Sequence, residues 1–310
     1  MRVAVIDLGS SSFRLVVAEA TDRGRIKHRT RKREDISLGL AVGRDGRIGA
    51  RETKETLAAA ARLRRRAARE DVDHLIVVAT SALRDAENGD EVRERLERRL
   101  GRPVRLLSGH EEAALTFAAV ARGTDLGGGP VLTVDLGGGS LEVATGRSGE
   151  LDRTWTLPLG AARLTGRLVR RDPMSADERD RVSMEVRAAL RPVLTHGGHL
   201  PYVVAAGGSV KALARVLAGD ERKRVGKSVL TTESLWSLRD RLVGATLDER
   251  LAMPGMAARR AQVIPAAAIV MTTLLSMLRV PSVTVSEWGV REGIILQAVG
   301  LVPETEVSAA

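Results

Sequence analysis

Val131-Leu132-Thr133-Val134-Asp135-Leu136-Gly137-Gly138-Gly139-Ser140-Leu141-Glu142 is an apolar run that ends on an acid, turns through three glycines and a serine, and resumes as a second apolar arm. The same order stands 128 residues earlier in Val5-Ile6-Asp7-Leu8-Gly9-Ser10-Ser11-Ser12. A repeat at that distance predicts two domains of like topology facing each other rather than a solenoid. A cleft between such paired domains is the default place for a site.

Outward from these turns, strand and helix patterns alternate. Apolar runs at 3–6, 15–18, 75–79, 104–107, 131–134, 141–145, 203–206 and 283–285 read as strands. Helical patterns cover 52–69, 91–100, 111–121, 176–194, 231–243, 263–278 and 291–299, with a glycine-rich joint over 124–129. The fold class is α/β, with two similar domains of mixed sheets flanked by helices, over 1–124 and 125–310, the last helix packing back on the first domain.

Composition narrows the function. The chain has 310 residues, a formal charge of +10, no cysteine and six aromatic residues among a 44% hydrophobic complement. A substantial core is possible, so disorder is excluded for most of the chain. Disulfides, thiolate metal sites and a cysteine nucleophile are excluded outright. Asp7 interrupts the first apolar run, which argues against a secretory signal, and Pro265 with its polar neighbours makes 263–278 a buried helix rather than a span. The expected location is cytoplasmic. Few aromatics disfavour base stacking, and the positive charge suits a phosphate-rich ligand.

Each turn has a physical reason for its residue types. Glycine and serine let backbone N–H groups approach a phosphate without interference from Cβ, and the strand-ending acid can hold Mg²⁺ or orient water. Ser10, Ser11 and Ser12 form one expected cradle; Gly137, Gly138, Gly139 and Ser140 form the other. A third turn, Gly207-Gly208-Ser209, follows a strand and opens a helix whose N-terminus favours anions. Two other phosphate signatures fail. Gly226-Lys227-Ser228 lacks the earlier glycine of a P-loop, since Glu221 stands there, and no dinucleotide fingerprint occurs.

Carboxylates supply the next layer. Asp135 and Glu142 lie on opposite arms of a hairpin and can both reach its turn. In Ser108-Gly109-His110-Glu111-Glu112, Ser108 and Glu111 fit a capping box, which leaves Glu112 without a structural duty and marks it as the candidate base. Arg84, directly beyond a buried strand, is placed to grip a phosphoryl group.

Together these segments resemble the exopolyphosphatase/guanosine pentaphosphate phosphatase family of the acetate and sugar kinase, Hsp70 and actin superfamily. The resemblance runs through Asp7 to Arg14, Ala79 to Asn88, Leu107 to Glu112, Asp135 to Glu142, Ala206 to Ser209 and Trp288 to Gly293. It implies that Glu112 activates water, that Asp135 and Glu142, with Asp7, surround a Mg²⁺ or Mn²⁺ ion, and that Arg84 holds phosphate. It also implies inorganic polyphosphate or guanosine penta- or tetraphosphate as ligand, a homodimer, and only the two phosphatase domains. Two positions depart from the family pattern: Ser11 replaces an asparagine in the first cradle, and Gln262 stands where an aspartate is common.

The expected reaction is release of phosphate from a polyphosphate end. The alternatives are hydrolysis of guanosine pentaphosphate, a kinase of the same superfamily, or a sensor that binds without turnover. Seven basic residues between Arg23 and Arg33 read as a solvated hairpin face or as a track for a polyanion, with nucleic acid the lesser reading. No histidine pair has zinc spacing, His196 and His199 included. Trp and Met residues are expected in the core, and the tail from Pro303 is expected to fray.

Overall fold

The computed structural model describes residues 1–194 and 202–303. His196, His199 and the tail beyond Pro303 lie outside the described residues. The first half runs β1 (Arg2–Leu8), β2 (Ser12–Ala20), β3 (Ile26–Asp35), α1 (Leu38–Asp45), α2 (Ala50–Ala67), β4 (His74–Ala79), α3 (Ser81–Asp85), α4 (Gly89–Leu100), β5 (Arg105–Leu106) and α5 (Gly109–Gly123). The second runs β6 (Pro130–Leu136), β7 (Leu141–Arg147), β8 (Glu150–Leu157), α6 (Ala161–Leu168), α7 (Ala176–Leu194), β9 (Tyr202–Ala206), α8 (Gly208–Ala218) and β10 (Val229–Thr231). It continues through α9 (Thr232–Gly244), α10 (Leu247–Ala252), a short 3₁₀ turn (Ala258–Arg260), α11 (Ile264–Leu278), β11 (Ser282–Val285) and α12 (Val290–Ala298).

Two mixed sheets result, ordered β3-β2-β1-β4-β5 and β10-β11-β9-β6-β7-β8. Each contains a three-strand antiparallel meander whose first strand, β1 or β6, then pairs in parallel with the next crossover strand, β4 or β9. The repeat holds in register as well: Asp7 faces Arg14 across the first hairpin, as Asp135 faces Glu142 across the second. Strand β1 is apolar on both faces because helices cover both.

The larger core surrounds α11, whose residues from Ile264 to Leu275 are all buried. A second core lies between the first sheet and helices α2 and α4. On the opposite face, Val3, Val5 and Val16 pack with Leu115 of α5 and with Ile294 and Ile295 of α12. The halves also meet where α1 crosses α6. A Cβ on Gly43 would come within 2.6 Å of Arg163 O, so only glycine permits that approach.

The basic run from Lys27 onward forms the hairpin's edge strand β3, with Arg31 and Arg33 bordering a groove, while Arg23 and Arg25 lie in the connection before it. Charged edges of this kind resist pairing with other chains. Strand β8 is largely polar, and helices α1 and α6 are only eight residues long with internal glycines, so none of the three registers as an element in the sequence. Met174, Met256 and Met271 are core as expected, but Met184 is 61% exposed, and Trp155, Trp236 and Trp288 are only half-buried, Trp155 packing against the larger core.

Candidate active site

The turns after β1 and β6 meet in the cleft. A Cβ on Gly138 would lie 3.2 Å from Ser10 Cβ and from Ser11 Cβ, and one on Gly139 would come within 2.6 Å of Ser10 Oγ. Glycine at 138 and 139 is thus what lets the two hairpins close on each other. The third turn arrives from β9. Gly207 has φ +94°, and a side chain there would strike the Asp135 carboxylate and come within 2.7 Å of Leu136 O. Ser10, Ser11, Ser12, Gly137, Gly138, Gly139, Ser140, Gly207 and Gly208 all line one cavity. Ser209 stands behind it, buried, with its hydroxyl directed at Gly137 O at 3.4 Å.

Asp7, Glu112, Asp135 and Glu142 line the same cavity. Glu112 enters on the first turn of α5, which starts as the sequence indicates: Ser108 Oγ accepts from the Glu111 amide at 3.1 Å, and Glu111 accepts from the Ser108 amide at 2.7 Å. Glu112 is thereby left free of the cap and faces inward, 8% exposed. Burial pushes its carboxyl up to about 8, against the pull of Arg84 and with help from the charges of Asp7 and Asp135. Burial also raises Glu142 well above its usual range, reinforced by Glu112 and Asp135. Asp135 moves up for the same first reason, opposed by Arg291 and Lys211. Acids crowded together in a poorly solvated cleft are a recurrent mark of proton chemistry.

Arg84 does not line the cavity. Its Nη1 donates to Glu112 Oε1 at 2.6 Å and to Leu107 O at 2.7 Å, which ties it directly to the candidate base. The cation nearest the acids on the cavity wall is Arg291, whose Nη1 donates to Asp7 Oδ2 at 2.9 Å.

Arg14, Lys211, Arg260 and Arg291 line both this cavity and an adjoining groove, where Arg31, Arg33, Arg215 and Arg259 add further charge. Burial lowers Arg14 well below its usual range, and Arg291, Arg33 and Arg260 repel its charge. Burial brings Arg260 down to about 9, again with like-charged neighbours, and its buried Nη1 has no partner among the described residues. Lys211 falls to about 8 for the same leading cause. Guanidinium groups held together at this cost suit an anion that would neutralise them.

Among the described residues, no group of three or more His, Cys, Asp or Glu side chains is arranged to hold a metal ion. A protein-only cage is therefore not what the cleft offers. Magnesium commonly takes one or two carboxylates and completes its shell with substrate phosphates and water. Buried oxygens from one or two of Asp7, Asp135 and Glu142, beside phosphate-sized turns, fit that kind of site.

Sequence reasoning missed Arg14, Lys211, Arg260 and Arg291 as cavity residues. Arg14 was open to detection, because the repeat aligns it with Glu142. It also missed Thr116, a buried hydroxyl on α5 that donates to Asp135 Oδ2 at 3.3 Å. Of the two departures, Ser11 lies in the cavity with a buried hydroxyl that has no partner among the described residues, whereas Gln262 is exposed and borders a separate pocket near Arg250 and Asp172. Among the described residues no helix is long and apolar enough to cross a membrane.

Comparison with known proteins gives a consistent picture. The profile of the Ppx/GppA phosphatase family matches residues 15–301. Exopolyphosphatase 1 of Mycobacterium tuberculosis is 32% identical over 304 residues, spanning 96% of this chain and 88% of that protein. The crystal structure of an exopolyphosphatase from Cytophaga hutchinsonii is similar with a TM-score of 0.88 at 25% identity, covering 97% of this chain and 99% of the other. A Ppx/GppA family member from Aquifex aeolicus gives 0.80 at 28% identity, with 98% and 99% covered.

Proposed function

Because the chain belongs to the Ppx/GppA phosphatase family, we propose that it is an exopolyphosphatase, which hydrolyses the terminal phosphoanhydride of inorganic polyphosphate and releases phosphate. The observation that carries this reading is the junction of two unlike surfaces. A cavity holding Glu112, Asp135 and Glu142 opens into a groove lined by Arg14, Lys211, Arg260 and Arg291. Acids suit the cut, and arginines suit the remaining chain.

In this reading the reacting phosphoryl lies against the glycine and serine turns, whose N–H groups stabilise charge on its oxygens. Glu112, once ionised, takes a proton from water as the new P–O bond forms. The bridging P–O bond on the far side breaks, and the shortened chain leaves on its own oxygen. Arg84 keeps Glu112 in place and favours its charged form. Arg291 donates to Asp7 and holds that carboxylate in place. One or two of the carboxylates Asp7, Asp135 and Glu142 would hold Mg²⁺ or Mn²⁺ together with phosphate oxygens, and the ion would supply neutralising charge there.

Polyphosphate is favoured over a guanosine nucleotide because, among the described residues, no aromatic ring lines the cavity or the groove to stack a base. Phosphate release should be measured side by side on long polyphosphate, short polyphosphate, guanosine pentaphosphate and ATP, each at low and high salt. Turnover of long polyphosphate above the others, with the steepest salt dependence, is the expected result. Exclusive turnover of guanosine pentaphosphate would overturn the substrate choice, and binding of polyphosphate without turnover would make the protein a sensor.

A further inference from the structure

The peptides of the second glycine turn are oriented from behind by α6. Gly137 O accepts from the Ala161 amide at 3.2 Å, and Gly138 O accepts from the amides of Ala162 and Arg163 at 2.9 and 3.0 Å. Gly139 O is held differently: Arg163 Nε donates to it at 2.8 Å. In a planar trans peptide the C=O of one residue and the N–H of the next point in opposite directions. With these three carbonyls tied back toward α6, the N–H groups of Gly138, Gly139 and Ser140 are turned away from it. The first two orientations are fixed by backbone, which any sequence supplies. The third depends on a side chain.

The same guanidinium reaches the other half of the molecule. Its Nη2 donates to Asp85 Oδ2 at the end of α3, and that oxygen also accepts from Ser81 Oγ at 2.9 Å. Asp85 Oδ1 lies 3.5 Å from Arg84 Nε, while Arg84 holds Glu112. Arg163 thus engages an acid that would otherwise compete with Glu112 for Arg84. A planar fork with donors on separate edges can serve Gly139 O and Asp85 at once, and lysine has no equivalent geometry.

We infer that Arg163 is a positioning residue for the phosphate cradle: it sets the Gly139–Ser140 peptide so that the Ser140 N–H is presented to the bound phosphoryl, and it ties that cradle across the cleft to the Asp85–Arg84–Glu112 series. This rests on the hydrolase reading for its ligand but makes its own claim about one peptide. The direct test is a titration of ¹⁵N-labelled full-length Glu112→Gln protein with tripolyphosphate, following backbone amide signals. Saturation should move the amides of Gly138, Gly139 and Ser140. Adding Arg163→Ala should abolish most of the movement at Ser140 while that at Gly138, held by backbone alone, persists. Arg163→Lys should show the same selective loss, which covers the case in which the alanine variant folds poorly. With Glu112 restored, Arg163→Ala should lower kcat for phosphate release about tenfold or more through misplacement of the reacting group. An unchanged Ser140 response in both Arg163 variants overturns the inference. If the Ser140 effect is present but the native chain releases no phosphate, the hydrolase reading fails and the assignment of Arg163 stands.

Discussion

Half-buried Arg84 donates at 2.6 Å from α3 to Glu112 on the first turn of α5, so the candidate base is paired with a cation that is not on the cavity wall. That placement gives Arg84 a duty toward Glu112 itself. Burial alone would leave Glu112 protonated through a wide pH range, and Arg84 opposes this. Removing the cation should drive Glu112 further upward from about 8. Arg84→Gln is therefore expected to shift the acidic limb of the kcat/KM profile to higher pH, because activity requires the ionised base. A limb that stays in place would show that Arg84 does not govern Glu112.

Stability should follow the opposite sign with pH. Glu112 titrates near 4.5 when unfolded and at about 8 in the fold, so between those values the folded chain binds the extra proton. Glu112's contribution to stability is then fully present below that window and is lost as pH rises through it. Thermal midpoints measured across the window should decline for the native chain and decline less for Glu112→Gln. Parallel declines would mean that the proton is held elsewhere.

The contact between the two turns makes a separate claim. A methyl group on Gly139 would collide with Ser81 Oγ and crowd Ser10 Oγ. Gly139→Ala should cost about 1–3 kcal/mol in denaturant unfolding, as overpacked sites do, and should depress activity by spreading the hairpins. Gly128, whose substitution meets nothing within 4 Å, is the control and should tolerate alanine at both readouts.

Much of this was legible in the sequence for physical reasons. Asp7 and Asp135 end apolar strands before small-residue turns, and that combination repeats with its spacing intact. Ser108 and Glu111 announce the helix that carries Glu112. What stayed hidden was set by tertiary context. Strand β3 pairs with β2 through backbone while its side chains alternate between groove and solvent, so a run of arginine and lysine shows no apolar period. Strand β8 is exposed from Glu150 to Arg153 and lacks that period as well. Lys211 and Arg260 are single cations in a cation-rich chain, and only the fold reveals that they converge. Arg163 is equally silent, because its importance lies in a carbonyl 24 positions away.

The central claim is that Glu112 accepts the proton from water attacking a terminal phosphoanhydride. It is tested most directly by comparing the native chain with Glu112→Gln for phosphate release from long polyphosphate, with polyphosphate affinity measured on both. The account predicts a fall of about 10²–10⁴-fold in kcat, the range for loss of a general base, with affinity retained because the turns and the basic groove are untouched. Release by Glu112→Gln at the native rate would contradict it.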